Sequence, residues 1–278
     1  MIVKYISGVS KKEFILNQSY ELNISECNPN EVSWGYEGIE TQYGTRIKRF
    51  TKSVLTLAIR LKFRGSLREI NDNLNDFFIA CEEDIKSMKE GRLYVNDEYV
   101  TGFFVSRTTT PATVFYGYEN QANFLAPYPF WIKEESKTFM PQDGTSVSGD
   151  YLDYPYDYAY DYTGEVKGSA KWLIDHFGSS QFNIKIFGYV NTPKITINGH
   201  LYQVNVTIND GDYLEIDSRD NSIILHRDGG IKENMYYMRY LPSNVFEPIP
   251  SGLLEIETSG TFLYNITLFL ERSEPRWS

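Results

Sequence analysis

The sequence predicts a mainly β protein of the α+β class. It should have an N-terminal antiparallel sheet carrying one long helix and a C-terminal antiparallel β-sandwich. Three observations predict this fold: short alternations of apolar and polar residues recur along the chain, one stretch has helical spacing, and 22 tyrosines and 17 phenylalanines favour strands. At 278 residues, the chain suits two domains that each bury a core.

The clearest elements of the first domain are a strand and the helix that follows it. Apolar residues alternate with polar ones from Leu55 to Phe63, which is the period of a half-buried strand. Ser66 and Glu69 then match a capping box, the mark of a helix N-terminus. The predicted buried face of this helix, which Gly91 should close, contains Leu67, Ile70, Leu74, Phe77, Phe78, Cys81, Ile85 and Met88. The predicted solvated face contains Asp72, Asp76, Glu82, Glu83 and Lys86.

A hairpin and an aromatic exit complete the first domain. Strand-like residues on both sides of Asn96-Asp97-Glu98 predict a hairpin with a polar turn, and residues 114–125 predict a further strand. Two prolines within Ala126–Trp131 should stop ladder pairing, so the chain leaves the sheet extended there. The aromatic residues of this exit should cover a sheet edge or a subunit contact, with sugar stacking as the alternative. They are Tyr128, Phe130 and Trp131.

The second half of the chain has short strand patterns joined by tight turns, which is typical of an antiparallel β-sandwich. Its strongest local signal is Asn198-Gly199, a two-residue hairpin turn that requires positive φ at both residues. The longest alternation in the chain runs from Phe262 to Leu270. Signals for helices nearly vanish in this half.

A tract without lysine or arginine, Asp150 to Thr163, lies between the two domains and contains six tyrosines and four aspartates. Its alternation would place the tyrosines on one face of an extended strand. An ordered connector is the leading interpretation, and a weak calcium site or a sugar site is the alternative. The tyrosines expected at an interface are Tyr154, Tyr156, Tyr158 and Tyr160. The predicted divisions are therefore 1–149, a connector 150–163, and 164–278.

Sequence patterns for catalysis and for metal binding are absent. The three histidines, His176, His200 and His226, do not pair at metal-ligand spacing, and two cysteines are too few for a disulfide scaffold. No nucleophile elbow, phosphate-binding glycine loop or zinc-protease motif occurs. A glycosidase needs only two well-placed carboxylates, which leaves that alternative open. The leading expectation is a protein that is not an enzyme and has no metal and no cofactor.

Charge and hydropathy narrow the choice of partners. The net charge is −10, of which residues 1–149 carry −2 and residues 150–278 carry −8, and an acidic half argues against a nucleic-acid partner. No apolar run is long enough to span a bilayer, and the start lacks a signal-peptide pattern, so synthesis in a cytoplasm is expected. The residues themselves thus indicate a binding or assembly protein, with a carbohydrate-binding module or adhesin for bacterial-surface glycans as the alternative.

The order of these features resembles the distal tail protein (Dit) family of long-tailed, siphovirus-type bacteriophages and prophages. The likeness covers nearly the whole chain and is weakest from Met1 to Gly44. The stretches that carry it are Val54–Val105, Ala126–Trp131, the connector, and the C-terminal segments Ile249–Gly252, Phe262–Leu270 and Glu274–Trp277.

The resemblance implies a structural role without chemistry. Members of this family form a hexameric ring at the end of the tail tube, with N-terminal domains around the DNA channel and a galectin-like C-terminal sandwich projecting outwards. The implied partners are further copies of the chain, the major tail tube protein, the tail-tip hub protein and, in many phages, receptor-binding proteins. DNA passes the channel without specific binding, and no membrane insertion is implied. The implied location is the virion tail tip, after synthesis in the bacterial host cytoplasm.

Overall fold

The computed structural model describes residues 2–17, 22–30, 32–64, 66–112, 117–141 and 168–276. The chain forms two compact units, one of Met1–Lys133 with Glu271–Ser278 and one of Glu134–Leu270. The predicted divisions 1–149, 150–163 and 164–278 stay a prediction, because residues 142–167 lie outside the described ranges. The predicted connector 150–163 lies outside the described residues, so its role stays a prediction.

Among the described residues up to Phe139, the structure has ten strands and one α-helix. In chain order they are β1 (Val3–Ile6), β2 (Glu13–Ile15), β3 (Leu22–Cys27), β4 (Gly35–Thr41), β5 (Gly44–Thr51), β6 (Leu55–Arg64), α1 (Leu67–Lys86), β7 (Gly91–Val95), β8 (Glu98–Pro111), β9 (Gly117–Ala126) and β10 (Trp131–Phe139). In the first unit β1 lies between β2 and β7, β7 pairs with β8, and β8 pairs with the start of β10. β8 also pairs with β9, β9 with β6, and β6 with β3, always antiparallel.

The helix α1 packs its apolar stripe into the core of the first unit. The capping box is confirmed, because Ser66 Oγ accepts from the Glu69 amide and the Glu69 carboxylate accepts from the Ser66 amide. Phe77 is fully buried in the core, whereas Phe78 is partly buried and packs against it. The predicted burial of Ile85 and Met88 is wrong. Met88 is 80 % exposed, because the helix ends at Lys86 and Met88 turns into left-handed backbone at φ 51°.

Gly91, which was expected to end the helix, has a different structural role. Gly91 is the first residue of β7, five residues beyond the end of α1. A Cβ atom at this position would lie 2.2 Å from the hydroxyl oxygen of Tyr5. Only glycine therefore allows the fully buried Tyr5 ring to lie against this part of the sheet.

Eleven further strands lie in residues 168–276, and most of their residues belong to the second unit. In chain order they are β11 (Ser169–Ile174), β12 (Gln181–Phe187), β13 (Val190–Asn191), β14 (Lys194–Ile197), β15 (His200–Gln203), β16 (Thr207–Ile208), β17 (Tyr213–Asp217), β18 (Ser222–His226), β19 (Lys232–Asn234), β20 (Gly252–Thr258) and β21 (Leu263–Arg272). A short 3-10 helix covers Tyr236–Met238. The Asn198-Gly199 hairpin turn is confirmed, with φ values of 48° and 81°.

The second unit is a β-sandwich, as predicted. One sheet has the order β19-β18-β17-β12-β21, and the other has the order β11-β20-β14-β15. Along β12 and β20 every second side chain points inwards and is buried, and these side chains share a single apolar core with residues of the other strands. The mainly β, α+β fold class is therefore confirmed.

Candidate assembly surface

The most exposed element of the first unit is a β-hairpin that the sequence analysis did not predict. Strands β4 and β5 pair antiparallel from Gly35 opposite Thr51 to Thr41 opposite Gly44. Every residue of both strands is exposed. Because a two-stranded hairpin alone is at best marginally stable in water, a ribbon of this kind gains stability when a partner covers it.

One face of the hairpin is apolar. Tyr36 lies opposite Phe50 on the neighbouring strand, and Ile47 lies opposite Gly38 two positions further along β4 on the same face. The three large side chains each keep at least 47 % of their surface exposed. We call Tyr36, Ile47 and Phe50 the apolar face.

The other face of the hairpin is charged. Arg49 donates from Nε and Nη2 to the two carboxylate oxygens of Glu37, at 2.9 and 2.6 Å. Ile39, two residues nearer the turn than Glu37, lies opposite Arg46, and both are exposed. We call Glu37, Ile39, Arg46 and Arg49 the charged face. An exposed ion pair of this kind adds little to the stability of the chain.

The two residues that flank the hairpin meet the aromatic exit predicted from sequence. The rings of Trp34 and Phe130 have centroids 6.1 Å apart, and those of Tyr128 and Phe130 are 5.2 Å apart. The Nζ atom of Lys52 lies 4.5 Å from the Phe130 centroid and 5.4 Å from that of Trp34, which is cation–π geometry. We call Trp34, Lys52, Tyr128 and Phe130 the base cluster, since it supports both ends of the hairpin.

The base cluster is tied to the C-terminal segment of the first unit. Tyr128 donates its phenolic hydrogen to Glu271 Oε2 at 2.6 Å, and Lys52 Nζ donates to the carbonyl oxygen of Ser273 at 3.4 Å. Burial, together with Glu271, raises the pKa of the Tyr128 phenol above its ordinary value, and burial lowers the pKa of Lys52. These contacts fix the root of the hairpin while its strands remain exposed.

The residues predicted to lie at an interface divide into three groups. Tyr128 is exposed and Phe130 is partly buried, and both belong to the base cluster. Trp131 corrects the prediction, because its side chain is 0 % exposed in the core of the first unit and offers no surface to a partner. The connector tyrosines Tyr154, Tyr156, Tyr158 and Tyr160 lie outside the described residues.

The solvent side of α1 carries an acidic surface with an isoleucine at its centre. Ile79 is 57 % exposed and projects away from the buried stripe. Carboxylates precede it at i−7 and i−3 (Asp72 and Asp76) and follow it at i+3 and i+4 (Glu82 and Glu83), so all four lie near it on the helix. We call these five residues the acidic helix face.

The outward side of strands β6, β9 and β8 is polar and carries few charges. Exposed side chains of Thr56, Gln121 and Asn123 alternate with the buried residues of the same strands, and Asn123 Nδ2 donates to Ser106 Oγ at 2.8 Å. Arg60 and Lys62 also belong to this side, and Glu119 lies opposite Lys62.

The solvent face of the larger sheet in the second unit is occupied by contacts among its own residues. Glu215 accepts from Asn183 Nδ2 at 3.0 Å and lies 2.8 Å from His226 Nε2. Burial alone would raise the pKa of Glu215, but the Asn183 hydrogen bond and the Lys185 charge outweigh it and hold the pKa below its ordinary value.

The aromatic rings on this face stack on one another. Tyr213 lies parallel to the His226 ring at 4.2 Å, and its centroid is 5.5 Å from that of Phe187. Because neighbouring rings cover the faces of Tyr213, it does not present the open platform on which a sugar ring stacks. This surface therefore does not favour the glycan-binding alternative.

Metal sites and membrane-spanning helices are both absent from the described residues. No group of three or more histidine, cysteine, aspartate or glutamate side chains there has the geometry to hold a metal ion. The described ranges also contain no helix with the length and apolarity that a bilayer-spanning segment needs.

The sequence does not predict the hairpin, for a physical reason. Both of its faces are exposed, so its residues show no simple alternation of apolar and polar types between Gly35 and Thr51. The one usable signal was Gly44, which sits at the turn with φ 121° and is flanked by β-branched Thr41 and Thr45. The strand β10 was missed because it follows two prolines and carries Lys133, Glu134 and Glu135 in succession.

A comparison of the fold with solved structures finds strong similarity over nearly the whole chain. The SPP1 Dit protein, described as a paradigm of the hub adsorption apparatus in phages that infect Gram-positive bacteria, matches with a TM-score of 0.62 and 8 % identity. That match covers 98 % of this chain and 100 % of the SPP1 chain. A chain of the phage P2 baseplate in its activated conformation with calcium matches with a TM-score of 0.65 and 14 % identity, over 99 % of this chain and 100 % of that one.

A second phage P2 baseplate structure, with strontium, matches with the same TM-score of 0.65 and 14 % identity, over 99 % of each chain. No protein-family model matches the sequence, and no curated protein does. In class, the chain is a two-unit β protein with an exposed β-hairpin. Its fold is that of phage distal tail proteins, so the resemblance predicted from sequence is confirmed at the level of the fold.

Proposed function

We propose that this chain is a structural subunit of a phage tail tip, where copies of it form a ring between the tail tube and the tail-tip hub. The observation that carries the proposal is the match to SPP1 Dit, which extends over 98 % of this chain and 100 % of that one. The match therefore includes both units of the chain, whereas a match to the β-sandwich alone would not have extended to the first unit. The proposed role requires no catalysis.

The hairpin supports self-assembly of the first unit. Its apolar face consists of Tyr36, Ile47 and Phe50, and tyrosine and phenylalanine are enriched at the centres of protein interfaces. The base cluster holds the root of the ribbon, so docking would cost little ordering entropy. We assign the contact between subunits to this ribbon, and a hexamer is the expected ring.

The outward face of β6, β9 and β8 supports a channel-lining role. DNA that must slide past a wall requires a surface that is wetted but does not bind phosphate. The threonine, serine, glutamine and asparagine side chains on this face meet that requirement, and Arg60 and Lys62 are partly offset by Glu119. We propose that this face surrounds the DNA path.

The proposed partners are further copies of the chain, the major tail tube protein and the hub protein, with receptor-binding proteins as additional ligands. The proposed location is the tail tip of the virion, after synthesis in the cytoplasm of the bacterial host.

Electron microscopy of the purified chain, alone and with the tail tube protein of the same genome, tests this proposal. Closed rings, or rings that cap the tube ends, are expected. Replacing Tyr36 and Phe50 by serine should abolish them. A matched control replaces Leu173 and Leu253, which are also exposed but lie in the second unit, and should leave the rings intact. A chain that stays monomeric and does not bind the tube would overturn the proposal.

A further inference from the structure

The hairpin and α1 carry surfaces of opposite charge within the same unit. From Gly35 to Thr51 the ribbon has three basic residues, Arg46, Lys48 and Arg49, against two acidic ones. The exposed part of α1 has five acidic residues, Glu69, Asp72, Asp76, Glu82 and Glu83, against the basic Arg68 and Lys86. From outside the helix, Lys12 pairs with Asp76 and Arg107 with Glu82, so the net charge of this surface is weakly negative. Surfaces of opposite charge both steer association and suppress wrong pairings.

Each surface also has one exposed isoleucine among its charges. On the charged face of the hairpin Ile39 lies opposite Arg46, and half of the Ile39 surface is exposed. On the acidic helix face Ile79 is surrounded by carboxylates. An isoleucine on the solvent side of an amphipathic helix is unfavourable in water and becomes favourable when an apolar partner covers it. The two surfaces thus match in both charge and apolar content.

We propose that the charged face of the hairpin of one copy docks on the acidic helix face of a second copy. Ile39 would pack on Ile79, and Arg46 would lie against the carboxylate of Glu83, since Asp76 already pairs with Lys12 Nζ. The contact is heterologous, because it joins two different surfaces, and repetition of such contacts closes a ring when the rotation permits. This inference rests on the proposed ring and specifies which surface receives the ribbon.

Charge reversal tests the electrostatic half of the contact. Arg46→Glu alone and Glu83→Lys alone should each weaken self-association of the purified chain by about tenfold, because each creates a like-charge contact. The double variant should recover to near the wild-type value. Lys194→Glu and Glu255→Lys, two exposed charges of the second unit, are the matched controls and should change nothing. Sedimentation velocity gives the association constants, and melting curves check that each variant is folded.

Cysteine crosslinking tests the apolar half. In a Cys27→Ser background, which removes the partly exposed native thiol, a chain with both Ile39→Cys and Ile79→Cys should give a ladder of disulfide-linked oligomers on oxidation, whereas either single variant can form only dimers. The contact would be overturned by any of three results: no ladder forms, neither charge reversal changes self-association, or the wild-type chain remains monomeric. Rings that persist in the reversed variants, or a monomeric chain that is found at tail tips, would overturn this contact alone and leave the proposed function standing.

Discussion

The phenolic hydroxyl of Tyr5 donates a hydrogen bond to the buried carboxyl group of Asp84, joining the first strand to the last turn of the only α-helix in the described residues. Asp84 also accepts from Ser7 Oγ at 2.7 Å and from the amide of Val9 at 2.9 Å. Burial first, and the hydrogen bond to Asp84 second, raise the pKa of Tyr5. This contact fixes where α1 ends against the sheet.

Tyr5→Phe should destabilise the first unit by about 1–3 kcal/mol, because the Asp84 oxygen is left without its phenol donor in a dry environment. Chemical unfolding in urea, followed by circular dichroism, measures the loss. Tyr43→Phe is the control, since Tyr43 is almost fully exposed and loses no buried partner. Equal stability of Tyr5→Phe and wild type would show that this hydrogen bond contributes nothing.

Two neighbouring residues of α1 should respond very differently to truncation. Phe77 is fully buried among Tyr5, Phe14 and Phe104, so Phe77→Ala should cost about 3–5 kcal/mol through lost packing and a cavity. Ile79→Ala, on the solvent side of the same helix, should leave the stability of the isolated chain almost unchanged. Similar melting temperatures for the two variants would contradict the orientation of the helix.

The Asn198-Gly199 turn gives a test of backbone conformation alone. Gly199 has a φ of 81°, and a Cβ atom there would meet nothing within 4 Å, so Gly199→Ala adds conformational strain without a steric clash. The expected loss is about 1–2 kcal/mol. Gly178→Ala is a matched control, because Gly178 has equal space and no positive φ. If both alanine variants unfold alike, the hairpin turn does not constrain the second unit.

Stability should fall in acid partly because of Glu215. Its pKa is held below the ordinary 4.5, so the unfolded chain binds a proton more readily than the folded chain as the pH falls. The stabilisation by Glu215 is therefore present above that ordinary value and is lost as the pH falls through the lower folded pKa.

Melting curves at about pH 7 and about pH 3 should show that Glu215→Gln narrows the difference between the two conditions relative to wild type. Glu255→Gln, at an exposed position of β20, should leave the difference unchanged. An undiminished acid sensitivity of Glu215→Gln would refute the proposed contribution of this carboxylate.

The parts of the fold that bury a face were predictable from the sequence, and the parts that do not were missed. The helix stripe from Ile70 to Cys81 and the strand Phe262–Leu270 each bury one face. A single buried face produces a clear period of apolar residues in the sequence. Both faces of the hairpin are exposed to solvent, so its sequence shows no such period. Trp131 was predicted at an interface because aromatic residues near prolines occur both in cores and at interfaces, and the sequence does not distinguish the two. Its burial follows from its position as the first residue of β10.

Only part of the base cluster could be predicted from the sequence. That Tyr128 and Phe130 lie at an interface stays a prediction, and their neighbours Trp34 and Lys52 lie about 80 to 95 residues earlier in the chain, so only tertiary structure brings the four together. Asp84 was overlooked for a similar reason, since a carboxylate among other charged helix residues looks solvated until Tyr5 and Ser7 are placed above it.

Immunogold electron microscopy of purified tail particles tests whether the chain sits as a ring at the end of a phage tail, as we propose. Antibodies against the chain should label particles at the distal end of the tail tube and nowhere along its length. Particles that remain unlabelled after mild opening of the tip, or that carry label on the head or along the tube, would contradict the account.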